Sequence, residues 1–315
     1  MANYQFTSDL IDDVLFRVGE PTDGTSDFEA EALRLINRAY RAVWMGGGEF
    51  VEGLNEAWLW LKKDPPGVIT LLPSITAGTV AVTNNSTSIT FSSAPAASVA
   101  GYHFRTDDDD TVYRIASHTG GAAGATLDAP YVFDTNAAAT YRLMKLEYTL
   151  AADVLRLISP MTVQGSAHDE IEGIDLAALS KNYPLTVIEG GIPDKFAHVT
   201  ETKIRFNRYG GDESDEFSRV EYDYLQKPAD LTNSGSEEPL IPLQHRHILA
   251  DIAVFYLFTT KGDDRVDIEG AKVRAGLRAM KADNRARQAQ IGRGVGQIYQ
   301  RGQAKPLRQR LFIAR

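Results

Sequence analysis

The hydrophobic period of this chain changes twice along its length, and this change constrains the fold more than any single motif. Apolar residues recur every three or four positions in 8–18 and 26–45, which predicts two amphipathic helices. From Gly67 short apolar segments alternate with turn-forming residues, which is typical of antiparallel strands. Helical spacing returns after Pro239. We therefore expect an α+β fold, with a helical bundle built from both chain ends and an inserted antiparallel β-sheet or barrel module.

Local signals place several of these elements. Gly19 ends the first helix, and Ser26 with Glu29 forms a capping box at the start of the second. A shorter helix is expected over 54–62. The segment 248–257 is apolar almost all round, which predicts a helix buried on most sides. We interpret it as the central helix of the bundle.

The middle of the chain predicts two β-rich regions. Strands are expected at 68–72, 79–83, 88–91, 102–105, 112–117 and 125–127, and then at 198–206 and 217–225. Short helices are expected within 146–159 and near 175–180. The chain thus divides into the N-terminal part of the bundle (1–66), a β-rich insertion (67–145), a mixed α/β segment with the second β region (146–238), C-terminal helices that complete the bundle (239–290) and an extended C-terminal arm (291–315).

The end of the chain has an unusual composition. Residues 284–315 carry eight basic side chains and no acidic one. Glycines at 292, 294, 296 and 302, followed by Pro306, predict that the last helix ends near Gln290. The same residues include apolar side chains that are too few to fold alone and too many for a solvated tail. We expect a partner to order this arm. An arm folded back on its own subunit is the alternative.

The charge of the chain is uneven. The whole sequence has 33 basic and 42 acidic residues, and eight of the basic residues lie in 284–315. The first 283 residues therefore carry 25 basic and 42 acidic side chains, a net charge of −17. Phosphate binding needs clustered Lys and Arg, so this acidic body is a poor general nucleic-acid binder. The basic arm suits DNA or an acidic protein surface, and the asymmetry also suits a homo-oligomer.

The last helix, roughly Arg265–Gln290, carries two stripes of small or apolar residues. The first has the spacing of a core face and consists of Val266, Val273, Leu277 and Met280. The second consists of alanines at 271, 275, 279, 282, 286 and 289. Alanine has the highest helix propensity, so these residues are consistent with helix formation alone. They also suit a smooth seam between subunits, and we assign Ala275, Ala279, Ala282 and Ala286 to such an interface.

We find no catalytic or metal-binding pattern in the chain. The absence of cysteine excludes disulfides and thiolate metal sites. His245 and His247 are two residues apart, so on a helix they cannot form the i,i+4 pair of a zinc site. The run Asp107–Asp110 lacks the distal glutamate of a calcium loop and lies where a hairpin must turn. We predict no catalytic, cofactor-binding or metal-binding residues and no enzymatic activity.

Four parts of the chain resemble head-to-tail adaptor proteins of tailed bacteriophages, also called connector, head-completion or tail tubular proteins. They are SDLIDDVLFRVGEP with SDFEAEALRLINRAYRAVW, GTVAVTNNSTSITF, YRIASHTGGAAGATLDAPY and EEPLIPLQHRHILADIAVFYLF. The resemblance implies a helical bundle, often with a β insertion, that forms a dodecameric ring beneath the portal protein. It also implies that the ring receives the tail or nozzle protein and that a C-terminal arm clamps the portal.

Carried onto this chain, the resemblance makes 291–315 the portal-binding arm. The residues that would contact the portal are Ile298, Tyr299, Leu307, Leu311 and Phe312 as apolar anchors, and Arg301, Arg308 and Arg310 as polar contacts. The bundle would comprise 8–62 and 239–290, and the β module 67–143 would project outward or toward the tail. Genomic DNA would pass through the ring without sequence-specific binding. The implied location is the head–tail neck of the virion, after synthesis in the host cytoplasm.

Two other function classes stay open. A nucleic-acid-binding protein would grip DNA with the basic C-terminal tail, and its affinity would fall steeply with salt. An enzyme would need a deep pocket lined by converging titratable groups. The sequence shows no signal peptide and no apolar run of the roughly 18–20 residues that span a bilayer, so we expect a soluble protein without a membrane partner.

Overall fold

The computed structural model describes residues 4–21, 27–52, 57–158, 160–164, 170–211, 219–233 and 236–302. Within these ranges the fold is mixed α+β, with five α-helices and two nearly closed barrel-like sheets, which confirms the predicted α+β class. The chain divides into two compact units. We call residues 1–62 with 227–315 the helical unit, and residues 63–226 the β unit.

The helical unit contains α1 (Thr7–Val18), α2 (Asp27–Trp44), α4 (His247–Lys261) and α5 (Val266–Gly302). Helix α4 packs against α1, α2 and α5. Its residues Ile248, Leu249 and Ile252 are completely buried, so the prediction of a helix enclosed on most sides is confirmed. None of the helices in the described ranges combines the length and the apolar character needed to cross a membrane.

Glycine ends the first helix as the sequence predicts. Gly19 adopts the left-handed conformation with φ of 77°, and its backbone N–H bonds to carbonyls of the last helical turn. The capping residue Ser26, in contrast, lies outside the described residues. The helix expected over 54–62 is wrong for its described part, which forms only a 3₁₀ turn at Leu59–Leu61. The conformation of this short segment is stabilised by burial of Trp58 and Leu61, and not by the hydrogen bonds of an α-helix.

The predicted end of the last helix near Gln290 is also wrong, because α5 continues to Gly302. A glycine inside a helix costs only about 1 kcal/mol relative to alanine. The intervening residues, such as Arg293, Gln297 and Gln300, are good helix formers or neutral. Scattered glycines therefore weaken this helix without stopping it, and Pro306 lies beyond its end.

Helix α5 approaches α4 closely at Gly276. A Cβ atom added to Gly276 would lie 3.0 Å from Cγ1 of the buried Ile248. We expect Gly276→Leu to lower the free energy of unfolding by about 1–3 kcal/mol, because a large side chain must push the helices apart. Urea denaturation measures this, with Ala275→Leu as the matched control on the exposed side of the same turn. Equal stability of the two variants would contradict the close packing.

The β unit contains sixteen strands and one α-helix, α3 (Leu176–Asn182), in its described residues. The first eight strands are β1 (Gly67–Thr70), β2 (Val80–Val82), β3 (Ser88–Phe91), β4 (His103–Thr106), β5 (Tyr113–His118), β6 (Gly124–Leu127), β7 (Asn136–Ala139) and β8 (Tyr141–Met144). The others are β9 (Glu147–Thr149), β10 (Val154–Leu157), β11 (Met161–Val163), β12 (Glu170–Gly173), β13 (Lys195–His198), β14 (Lys203–Phe206), β15 (Arg219–Tyr222) and β16 (Tyr224–Gln226).

These strands form two seven-stranded sheets and a short pair. The first sheet has the order β7-β2-β3-β6-β5-β4-β8 and is antiparallel throughout. The second has the order β1-β15-β11-β12-β13-β14-β9, with β12 and β13 parallel, and β10 pairs with β16. Each of the two large sheets has its own apolar core, which includes Ile89 and Phe91 from the first sheet and Ile204 and Phe206 from the second.

The predicted strands of the first β region are confirmed as β1–β6, and α3 confirms the short helix expected near 175–180. The helix expected within 146–159 is wrong, because this segment forms β9 and β10. Tyr148 and Val154 are buried in the second core, so pairing with neighbouring strands overrides local helical spacing. The strand expected at 198–206 is confirmed only for Lys203–Phe206, which form β14. Residues 199–202 form a turn that leads back to β13, the strand with which β14 pairs.

The two ends of the β unit lie side by side. The backbone N–H of Lys63 donates to the carbonyl oxygen of Tyr224 at 3.0 Å. The Lys63 ammonium group also donates to the side-chain amide oxygen of Gln226 at 3.2 Å. The chain therefore enters and leaves this unit at neighbouring positions.

His103 on β4 is a buried histidine whose pKa is lowered to about 4. Burial is the main cause, and the positive charges of Arg205 and Arg114 add to it, whereas Asp128 opposes it. An unfolded histidine binds a proton below pH about 6.5, whereas the folded one does so only near pH 4. Protonation of His103 therefore favours the unfolded state, so its contribution to stability falls as the pH drops from about 6.5 to about 4 and stays constant below that.

We expect His103 to remove about 3 kcal/mol of the free energy of unfolding across this pH range. His103→Gln should flatten this part of the profile, because glutamine does not titrate. Urea denaturation at a series of pH values compares the two proteins, and the histidines that both retain cancel in the difference. If the free energy of unfolding of the variant depends on pH as steeply as that of the original chain, then His103 has the same pKa in the folded and the unfolded state.

Candidate interaction surface on the C-terminal helix

Helix α5 buries one face against the helical unit. Val273, Leu277 and Met280 are buried, which confirms the core face predicted for them, while Val266 is only half-buried. Asn284 continues the same face one turn later and is also buried. The spacing of four, three and four residues places these side chains along one side of the helix.

The alanines of α5 lie on the opposite side. At 100° per residue, their positions centre about half a turn away from the core face. All six are exposed, namely Ala271, Ala275, Ala279, Ala282, Ala286 and Ala289. We call them the alanine face. Exposed basic side chains flank it at Arg274, Arg278 and Arg285. The alanine face thus contributes nothing to the apolar core of its own subunit, and its assignment to a subunit interface stays a prediction.

Asn284 attaches a distant segment to α5. Its side-chain oxygen accepts the backbone N–H of Leu59 at 2.9 Å, and its amide nitrogen donates to the carbonyl of Ala57 at 3.1 Å. Gln288, one turn later, donates to the same carbonyl at 3.1 Å. Pairing these partly buried backbone groups stabilises a segment whose described residues form no α-helix. Sequence reasoning missed this role, although a polar residue at a core-face position was the available signal.

Trp58 anchors the attached segment in the core. It is completely buried, and its indole N–H donates to the carbonyl of Val43 at 2.6 Å. The ring of Trp60 stacks near it, with centroids 6.3 Å apart. The Trp60 indole N–H is also buried, but it donates to no group in the described part of the chain. Such an unpaired buried donor costs about 1–3 kcal/mol.

Beside Asn284 lies a surface cavity of about 240 Å³, which we call the tryptophan cavity. Its apolar walls include Trp58, Trp60 and Met280, and its polar rim includes His245, Asp283 and Arg287. Asp283 accepts hydrogen bonds from His245 at 3.2 Å and from Gln244 at 3.1 Å. The bond from His245 is the largest cause that lowers the pKa of Asp283. The rim is therefore a set of paired groups around an apolar floor.

The residues predicted to bind the portal lie at or beyond the end of this surface. Ile298, Tyr299 and Arg301 belong to the last turns of α5, where only the backbone is described. Leu307, Arg308, Arg310, Leu311 and Phe312 lie outside the described residues. The structure therefore leaves their role a prediction.

The titratable groups that the sequence singled out have structural partners. Asp107–Asp110 joins β4 to β5, which confirms the predicted hairpin. Asp109 is buried and accepts hydrogen bonds from the Thr111 backbone at 2.6 Å and from the Tyr113 hydroxyl at 3.2 Å. Across the described ranges, no three or more His, Asp or Glu side chains are grouped so that they could hold a metal ion. No protein-family model matches the chain, and no curated protein sequence matches it either.

Proposed function

We propose that this chain is a structural adaptor subunit in the head–tail neck of a tailed bacteriophage. It joins the portal protein to the tail or nozzle protein, forms a dodecameric ring, and surrounds part of the channel for genomic DNA. The observation that carries the proposal is the C-terminal helix, with an alanine face that its own subunit leaves exposed. This helix leads directly into the basic and apolar residues at the chain end.

In this proposal α1, α2, α4 and α5 form the helical bundle of the ring, and the β unit is the module inserted into it. The alanine face packs against the neighbouring subunit, because small side chains let two backbones approach closely. The arm comprises 291–315, helical as far as Gly302, and its apolar side chains anchor it to the portal. The acidic body suits a channel in which DNA moves without sequence-specific binding.

Mass measurement and negative-stain imaging of the purified chain, with and without its portal protein, test the proposal. We expect a ring that forms on the portal or is stabilised by it. A compact monomer in both samples would contradict the proposal.

Nucleic-acid binding is the second candidate, and the exposed arginines Arg274, Arg278 and Arg285 favour it because they extend the basic arm. This function requires duplex affinity that falls steeply with salt and is lost when residues 291–315 are removed. A filter-binding titration between 50 and about 200 mM salt separates the candidates. Salt-independent, negligible binding would rule out the second candidate and leave the neck proposal unaffected.

A further inference from the structure

The tryptophan cavity has the character of a site for an apolar anchor. Its walls are aromatic and aliphatic, and its volume of about 240 Å³ exceeds that of several water molecules at about 30 Å³ each. Aromatic and large aliphatic side chains gain most from such a pocket, because they fill it and exclude water.

The chain itself contains such an occupant within reach. From Arg287 at the cavity rim to Gly302, α5 extends a further 15 residues, about 22 Å at 1.5 Å per residue. An extended chain covers about 3.3 Å per residue. Leu307 can therefore lie only about 16 Å from Gly302, too short to return to the cavity. The consecutive residues Leu311, Phe312 and Ile313 reach about 30–36 Å, which is enough.

We infer that, in the free subunit, Leu311–Ile313 returns along α5 and occupies the tryptophan cavity of its own chain. The apolar end of the arm is then covered before any partner is present. A second step rests on the proposed function. Portal binding withdraws this segment from the cavity, so the apolar side chains of the arm are exposed only where a portal is available to bind them. The cavity is thus a storage site for the arm.

The absence of cysteine allows a direct test by disulfide cross-linking in the full chain. A disulfide requires Cα atoms about 4.4–6.8 Å apart. The test pair is Arg287→Cys with Ala314→Cys, which leaves all three apolar anchors intact. The matched control is Arg287→Cys with Ala304→Cys, because residue 304 lies only about 7 Å beyond Gly302 and cannot reach the rim. The control also reports whether Arg287→Cys disturbs folding.

We expect the test pair to form an intramolecular disulfide under mild oxidation, and the control pair to form none. Adding Phe312→Asp to the test pair should slow cross-linking at least about tenfold. A tail that is not held in the cavity has a low effective concentration near the cysteine at position 287. An unchanged rate would mean that no anchoring occurs and would overturn the inference. Cross-links found only between subunits would assign the cavity to the arm of a second copy and would also overturn it.

Addition of portal protein to the reduced test pair then examines the release step. We expect slower intramolecular cross-linking when the portal is present. An unchanged rate together with demonstrated portal binding would remove the release step and leave storage intact. A portal that does not bind at all would count against the proposed function and not against storage, because the cross-link without portal is measured independently.

Discussion

Removal of residues 291–315 is expected to abolish attachment to the portal while the subunit body stays folded. The α5 residues that are buried among those with described side chains, from Glu269 to Asn284, all precede the cut, so the truncated chain keeps these core contacts of the helical unit. The lost segment carries several apolar anchors, and two anchors worth about 2 kcal/mol each correspond to about a 1,000-fold loss of affinity. Titration of immobilised portal with both proteins measures the affinity, and thermal unfolding followed by circular dichroism measures the folding.

A charge variant provides the control for this truncation. Replacing Arg301, Arg308 and Arg310 by Gln keeps the chain length and the apolar anchors. We expect this variant to bind the portal more weakly than the intact chain, with a smaller dependence on salt, but far more tightly than the truncated chain. A truncated subunit that binds the portal normally would disprove the role of the arm. A truncated subunit that fails to unfold cooperatively would show that the arm is part of the body.

Placing leucine on the alanine face is expected to prevent ring assembly with almost no effect on the subunit. In Ala279→Leu and Ala282→Leu the new side chain points away from the core, because both alanines are exposed in the subunit. The free energy of unfolding should therefore change by no more than about 0.5 kcal/mol. In a closely packed seam the same leucine costs about 1–3 kcal/mol at every interface of the ring. Mass photometry on the portal counts the assembled subunits.

Arg274→Leu is the matched control, since it introduces the same side chain at an exposed position of α5 beside the alanine face. We expect this variant to assemble. If it fails as completely as Ala279→Leu, the defect comes from added hydrophobic surface and not from the seam. If Ala279→Leu instead loses stability and assembly to the same extent, the alanine face belongs to the subunit itself.

The sequence predicts elements well where local signals and tertiary packing agree. Helix α1 ends at Gly19 because only glycine adopts its left-handed conformation without strain, and α4 is apolar on nearly all sides because three helices surround it. The segment 146–159 shows the opposite case. Its apolar spacing fits a helix, but Tyr148 on β9 and Val154 on β10 reach the same buried core through strand pairing. Local spacing carries no information about that pairing.

The candidate surface could be predicted only in part. The two stripes of α5 follow from helical periodicity. The residues of the predicted core stripe are buried, with the exception of Val266, which is half-buried. The tryptophan cavity could not be predicted, because it forms only where residues near Trp58 meet residues near Asn284, more than 200 positions later in the chain. That contact depends on side-chain hydrogen bonds that no spacing rule identifies: Asn284 accepts one and donates one, and Gln288 donates another.

The neighbouring entry and exit of the β unit have an evolutionary consequence. A segment that begins at Lys63 and ends at Gln226, with both ends joined by hydrogen bonds, can be exchanged for another without stretching the flanking polypeptide. Recombination near Lys63 and Gln226 would replace all sixteen described strands in one event. A lineage could in this way acquire a new module while it inherits its helices unchanged.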